Sequence, residues 1–342
     1  MSELKPWLVD VPVQFNIWVR PQCQKLQWDV IREARPSILF IVSDGGRTEE
    51  EWALIYENRK MIEDTIDWEC EVHKLYSDQN YGMYQNMMNA YEYIWARVDR
   101  CIFMEDDVAP SVSFFRFCAE LLERYKDDTR ICMIAGHNYL GEYDRPDTDY
   151  FFAAQMFGWG YATWKRVYDN YYNFNYGKSP YTMDLLEHET KDDPIFRKKI
   201  QAYATQEYYQ GHKAFDEFFL EFAFVAYHQL AIVPTKNMIH VTGADPSATH
   251  FTEADRIPKA IRNLFFMKRY EYEFPLKHPE YVIRDYYFEN KVHEIRADRG
   301  AWNKTKRFVE AKYLYIRSGE NVMEGAKRII HRKLNSNKEL EK

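Results

Sequence analysis

The first hundred residues alternate between two spacings of apolar positions. Residues 11–19, VPVQFNIWV, alternate or run apolar like a strand, and residues 37–42, SILFIV, form a fully apolar run of strand length. Residues 21–34 between them read as a helix. After the second strand, SDGGRTEEEWALIYENRKMIEDTI offers a Gly-Gly turn, then Thr48 with Glu51 three positions on as a capping box, then a helix. Residues 70–77, CEVHKLYS, predict a third strand, followed by a turn at DQNYG and a helix through MYQNMMNAYEYIWARV. Residues 101–104 are a fourth strand.

Strands separated by helix-sized connections predict an α/β fold with a mostly parallel sheet flanked by helices. In such sheets ligands gather at the carboxyl ends of the strands. Glu105, Asp106 and Asp107 directly follow the fourth strand and Asp44 follows the second, so the acids share one crevice if those strands are neighbours. Further on, Ser113 is placed to cap a helix over APSVSFFRFCAELLERYKDD, and RICMIAGHN reads as another strand and turn. From about Tyr150 the chain is rich in aromatic residues, which fits a core or a surface on which sugar rings stack.

Composition narrows the picture without deciding it. With 342 residues, 46% of them hydrophobic, the chain can bury one large core or two smaller ones. The five cysteines are odd in number and lack CxxC spacing, which predicts buried thiols in a reducing compartment rather than a disulfide or zinc framework. MSELKPWLVDVP has no basic segment leading into an apolar run, and the most apolar stretch, residues 214–234, is broken by Asp216, Glu217, Glu221 and His228. A cytoplasmic protein is expected. Residues 301–342 carry 11 Lys and Arg against 5 Glu in a chain whose net charge is −7, so the body is acidic and nucleic acid is not an expected partner. The basic, aromatic tail fits peripheral contact with the inner membrane at its cytoplasmic face, or a solvated terminal helix.

The acids alone prove nothing, since 53 acidic residues give about one triplet by chance, and residues 49–51 are another. Position matters more. Carboxylates crowded at a strand end repel one another unless a cation sits among them, and Mg2+ or Mn2+ held by one or two carboxylates and by phosphate oxygens fits there. No GxxxxGK[ST] or GxGxxG follows the first strand. Instead the strand ends carry Arg20, residues 43–47 (Ser43, Asp44, Gly45, Gly46, Arg47) and Asn80-Tyr81-Gly82, which suit contacts to phosphate, ribose or base. Asp44-Gly45 also fits a plain turn before a capped helix.

In their order, VRP (19–21), RPSILFIVSDGGR (35–47), IDWECEVH (66–73), NYG (80–82), CIFMEDDVAPSVSFFRFC (101–118), WGYATW (159–164) and FPLKHP (274–279) resemble bacterial nucleotide-diphospho-sugar transferases of the GT-A fold. These include hemolysin-related proteins and distant relatives of the N-acetylglucosaminyltransferase that starts complex N-glycans. The resemblance implies a GT-A, Rossmann-like sheet, a mixed aromatic-rich second half and a C-terminal helical extension. Residues 1–150 would form the nucleotide-sugar half, 151–255 the acceptor and catalytic half, and 256–342 the extension with its basic tail.

It also implies roles. Residues 105–107 would be this chain's form of the DxD motif, with Asp107 as metal ligand, Asp106 beside it, and Asp106 and Glu105 near the ribose or holding the loop. Arg20, Ser43, Asp44, Gly45, Arg47, Asn80 and Gly82 would line the nucleotide-sugar pocket. Trp159, Gly160, Tyr161 and Trp164 would form the sugar and acceptor site, Tyr161 standing where relatives often have Trp. Asp216, with Glu217 as its neighbour, would take the acceptor proton, although Asp216 also fits a helix N-cap. His250 would complete the metal shell or bind a phosphate, or is structural, and the loop around Gly243 to Ser247 would close over the donor.

The expected function is therefore metal-dependent transfer of a sugar from a nucleoside-diphosphate donor, a UDP-sugar in first place, to a glycan or lipid-linked hydroxyl. Inversion and a place in cell-surface polysaccharide or lipopolysaccharide synthesis follow from the resemblance. A sugar nucleotidyltransferase is the rival enzyme, disfavoured because VRPQCQKL has no glycine after the first strand. A non-catalytic binder of nucleotide sugars or glycans is the rival from another class.

Overall fold

The computed structural model describes residues 4–171, 174–191, 193–204, 216–241, 258–297 and 300–317. Its first half is a series of strands and helices that the residue spacing anticipates: β1 (Val9–Ile17), α1 (Pro21–Ala34), β2 (Pro36–Ser43), α2 (Glu49–Glu63), β3 (Glu71–Tyr76), α3 (Met83–Trp95) and β4 (Arg100–Met104). Then come β5 (Val108–Pro110), α4 (Ser113–Arg124), β6 (Ile131–Ala135), β7 (Tyr150–Ala153), β8 (Tyr161–Trp164) and α5 (Lys165–Tyr171). A 3-10 turn (Phe174–Lys178), α6 (Pro180–Glu189), α7 (Pro194–Tyr203) and α8 (Asp216–Ala226) precede β9 (Leu230–Pro234) and β10 (Ile239–Val241). The described remainder is α9 (Lys259–Phe265), α10 (Tyr286–Arg296) and α11 (Ala301–Arg317).

Eight strands form one mostly parallel sheet in the order β3-β2-β1-β4-β8-β6-β9-β7, and β5 pairs antiparallel with β10 outside it. β1, β2, β3 and β4 run parallel, with Ile17 opposite Ser43 and Phe15 opposite Met104. The strands carrying the two acidic loops are not neighbours, because β1 lies between them and pairs with both. Their carboxyl ends still face one crevice, with β1 as its middle.

Burial follows from composition. Leu39, Phe40 and Ile41 of β2 are fully buried, as a strand covered on both faces requires. Along α1 the inward stripe is Gln24, Gln27, Trp28, Ile31 and Ala34, and the Trp28 indole stacks on Phe15 at 6.2 Å. Burying each such large apolar side chain contributes about 2 kcal/mol. The aromatic second half divides: Tyr150, Phe152 and Phe157 are fully buried, and Tyr161 and Trp164 nearly so, whereas Tyr181, Tyr281 and Trp302 are exposed.

Two helix starts show what spacing can and cannot reveal. Thr48 caps α2 as expected, its hydroxyl accepting from the Glu51 amide at 3.3 Å, while the Glu51 carboxylate reaches back to the Arg47 amide at 2.7 Å. Ser113 does not cap α4. That work falls to Glu271, whose two oxygens accept from the amides of Val112 and Ser113, while the Ser113 hydroxyl accepts from the Tyr272 amide. A carboxylate at a helix N-terminus also meets the positive end of the helix dipole, so Glu271 satisfies two donors at once.

The chain divides into two compact units, residues 1–243 with 267–292, and residues 244–266 with 293–342. The sheet and both acidic loops belong to the first. No helix among the described residues is long and apolar enough to cross a membrane.

Candidate functional site

The carboxyl ends of β1, β2 and β4 border a cavity of about 670 Å³ that reaches down between the sheet and α3. At its mouth are Arg20, Asp44, Arg47, Asn80, Glu105 and Asp106. This set contains most of the residues that the sequence assigned to a nucleotide sugar. The loop of residues 105–107 is held from three sides. β4 leads into it, β5 leaves it paired to β10 with Val108 opposite Val241, and Gln27 of α1 donates its amide hydrogens to the carbonyls of Glu105 and Val108.

The acids on this loop are strained electrostatically. Burial pushes the Asp106 carboxyl above its ordinary range, with Arg20 pulling the other way. Burial also raises Asp107, the Asp106 charge beside it adds to that, and Arg20 opposes both. The Arg20 guanidinium is 3.7 Å from Asp107 and 4.0 Å from Asp106, too far for a hydrogen bond, so its attraction is Coulombic. One oxygen of Asp107, Oδ1, is buried without any hydrogen-bond partner. A buried anionic oxygen with no donor costs free energy that a bound cation removes.

That orphaned oxygen fits a divalent metal. Among the described residues no group of three or more His, Cys, Asp and Glu is assembled to hold one. Asp106 and Asp107 can supply one or two carboxylates, the number Mg2+ or Mn2+ uses when phosphate oxygens and water complete the shell. His250 lies outside the described residues.

Asp44 is a different kind of acid. Its Oδ1 accepts from the amides of Gly45 and Tyr81 at 2.9 and 3.0 Å, and its Oδ2 from the Gly82 amide at 3.0 Å and the Asn80 side chain at 3.1 Å. Four donors use the whole capacity of a carboxylate. Asp44 thus ties the loop after β2 to the loop after β3 while it borders the cavity, and Asn80 adds a bond to the Gly45 carbonyl at 2.8 Å. Glycine is required at 45, where a Cβ would come within 2.3 Å of the Gln79 carbonyl carbon, and at 82, where φ is +78°.

Two side chains that sequence reasoning missed complete this frame. Arg59 of α2 donates to the Ser43 hydroxyl at 3.0 Å and to the carbonyls of Ser43 and Ser77, strapping the ends of β2 and β3 together. Ser43 therefore serves the frame and is not among the cavity residues. Trp18, just past β1, borders the cavity, donates from its indole to the Gly45 carbonyl at 3.2 Å and carries Arg47 over its ring at 4.8 Å. Arg47 is also tied to Glu51.

The deeper cavity was also unforeseen. Gln14 and Asn16 of β1 share its floor with Phe103 and Tyr161, and Met87 and Tyr91 of α3 face them. Gln14 sits opposite Phe103, which sits opposite Tyr161, so one cross-strand row forms the floor. The signal was the alternation Q-F-N in β1, which places both amides on one face.

The WGYATW stretch divides. Tyr161 reaches the cavity and stacks on Phe103 at 5.5 Å, whereas Trp164 lies in the core, its indole donating to the Leu122 carbonyl at 3.0 Å. Trp159 packs on His137 at 4.9 Å, and Gly160 takes a φ of +68° beside Ile239. Asp216 and Glu217 open α8, and their side chains lie outside the described set.

No protein-family model matches the chain, and no curated protein sequence matches it. Solved structures do. A mannosyltransferase from Pyrobaculum calidifontis in complex with GDP-Man and Mn2+ is 9% identical over 97% of this chain and 84% of that one, with a TM-score of 0.37. Glucosyl-3-phosphoglycerate synthase from Mycobacterium tuberculosis, in complex with Mn2+, UDP and phosphoglyceric acid, is 10% identical over 48% of this chain and 64% of that one, with a TM-score of 0.28. A UDP-glucose pyrophosphorylase complexed with UDP-glucose is 12% identical over 49% and 78%, with a TM-score of 0.25. Likeness at this level does not decide the chemistry, which rests on the side chains of the crevice.

Proposed function

We propose that this chain is a glycosyltransferase that moves a sugar from a nucleoside-diphosphate donor, a UDP-sugar first among them, to a hydroxyl of a glycan or lipid-linked acceptor. The observation that carries the reading is the acid pair at the end of β4: raised carboxyls, one oxygen of Asp107 without a partner, and a single guanidinium at 3.7 Å, beside a 670 Å³ cavity that Arg20 and Asp106 line. A diphosphate with its cation offers that site both missing partners, anionic oxygens for Arg20 and positive charge for Asp106 and Asp107.

In this reading the frame built on Asp44 and Arg59 presents fixed loop edges to the nucleotide, and Trp18 gives its base a ring to stack on. Arg20 turns from the acids to the phosphates, where its planar fork suits two oxygens. Asp107, with Asp106 beside it, would hold Mn2+ or Mg2+, which when bound would supply positive charge to the departing diphosphate. Asp216, with Glu217 beside it, accepts the proton of the acceptor hydroxyl. The acceptor oxygen bonds to the anomeric carbon as the sugar–phosphate bond breaks, its electron pair leaving with the nucleoside diphosphate, so the configuration inverts. Cell-surface polysaccharide or lipopolysaccharide synthesis is the proposed setting.

Melting temperatures measured with UDP-, GDP-, dTDP- and CMP-sugars, with and without Mn2+, test the reading, because a ligand that binds only the folded state raises the transition. One donor should stabilise the protein only when metal is present, and should be slowly hydrolysed. Absence of both effects for every donor sinks the proposal. Tight binding without turnover that Asp216→Asn leaves unchanged would make the chain a binding protein, and pyrophosphate release from a nucleoside triphosphate would make it a nucleotidyltransferase.

A further inference from the structure

In the second compact unit, α11 exposes four large apolar side chains among those described. Trp302 is 77% exposed, the most exposed large apolar side chain among the described residues, and Phe308, Val309 and Tyr313 are each about 60% exposed. Trp302, Val309 and Tyr313 are spaced by seven and four, so they lie along one side of the helix, with Lys306 in the same stripe. Lys304, Phe308 and Lys312, each four apart, form the next stripe, and the Lys312 ammonium sits 5.6 Å over the Phe308 ring. All of these residues are exposed. The inward face is different: Arg307 donates to the Ile295 carbonyl, and Glu310 accepts from the Lys259 amide at 2.9 Å, so the helix's single acid is turned inward beside Arg307.

An ordinary solvated face would carry charges without a Trp-Val-Tyr stripe, and a buried one would carry the stripe without lysines. Here rings and ammonium groups share one face, and α11 holds five Lys and Arg against one Glu. We infer that α11 is an interfacial helix that lies on an anionic phospholipid surface. Trp302 and Tyr313 enter the headgroup layer, where rings with a polar edge are favoured. The lysine stems cover apolar surface while their ammonium groups meet lipid phosphates. Five cations in 17 residues keep the helix on the surface rather than across it. This inference stands on α11 alone and holds or fails independently of the sugar-transfer reading.

Sedimentation of the full chain with vesicles, without nucleotide or metal, tests it. The chain should sediment with vesicles containing phosphatidylglycerol, remain in solution with pure phosphatidylcholine, and detach as salt shortens the screening length. Lys304→Glu, Lys306→Glu and Lys312→Glu combined should lower the partition coefficient at least about a hundredfold, since each lysine near an anionic surface is worth about fivefold. Trp302→Ser alone should lower it about tenfold, and both variants should melt with the wild type because all four positions are exposed. Failure to bind anionic vesicles at low salt, equal binding by both variants, or dimerisation that Trp302→Ser abolishes would overturn the inference.

Discussion

Two aspartates at the same sheet edge, Asp44 after β2 and Asp107 after β4, show how environment divides one side-chain chemistry into two tasks. Asp44 has four donors within 3.1 Å, supplied by two loops and leaving no capacity for another partner. Asp107 has an oxygen without a donor, a like charge beside it, and an arginine only at 3.7 Å. The first carboxylate is spent on holding the backbone at the cavity's edge, and in the proposed function the second is the one that would meet a cation. The count of donors separates them, four around one carboxylate and none for an oxygen of the other.

The comparison can be broken most sharply at Asp107. Asp107→Asn should lower metal-dependent donor turnover about a thousandfold, roughly 4 kcal/mol of transition-state stabilisation, with a melting temperature equal to or above the wild type because a partly buried like-charge pair is relieved. Turnover that persists would remove the acid pair from the chemistry. Asp44→Asn should do the reverse. An amide in place of one oxygen faces donors with a donor, so urea unfolding should show a loss of about 3 kcal/mol, and metal binding by the remaining folded protein should be preserved. Unchanged stability would mean that the two loops do not depend on the shared carboxylate.

Gln27 sharpens the contrast from the side of the acidic loop. Gln27→Leu keeps the volume but removes the donors to the carbonyls of Glu105 and Val108, which should lower stability by about 2 kcal/mol and raise the Mn2+ concentration needed for half-maximal binding in calorimetry. The smallest effect belongs to Glu123, an exposed acid whose bonds to Lys126 and Arg100 depress its carboxyl to about 2. Because the folded value lies below the ordinary 4.5, its contribution is complete above that value and fades as pH falls toward about 2. Glu123→Gln should flatten the melting-temperature profile in that window, slightly and without touching metal binding.

Much of this was written locally in the chain. The first four strands and three helices follow from periodicity, and the acids' place at a strand end follows from where an apolar run stops. What escaped depended on distant partners or on face. Ser113 looked like a cap, but Glu271, 158 residues away, takes the position. Trp164 was grouped with Tyr161 by proximity in sequence, yet residues three apart in a strand point to opposite faces, so one lines the cavity and the other enters the core. Gln27 sits on an apolar stripe between Gln24 and Trp28, a polar residue at a core position whose purpose appears only when β4 and β5 are brought beside it. β1 between β2 and β4 is likewise a matter of topology, which no single segment encodes.

The four bonds to Asp44 also bear on how fast a ligand can be taken up. A loop that must fold around its guest charges each binding event the entropy of ordering it, and association waits on the rare arrangement that fits. Here the amides of Gly45, Tyr81 and Gly82 are fixed before any guest arrives. In the proposed function, encounter at this edge would be set by diffusion and by the field of Arg20 and the acids, since folding has already ordered these amides.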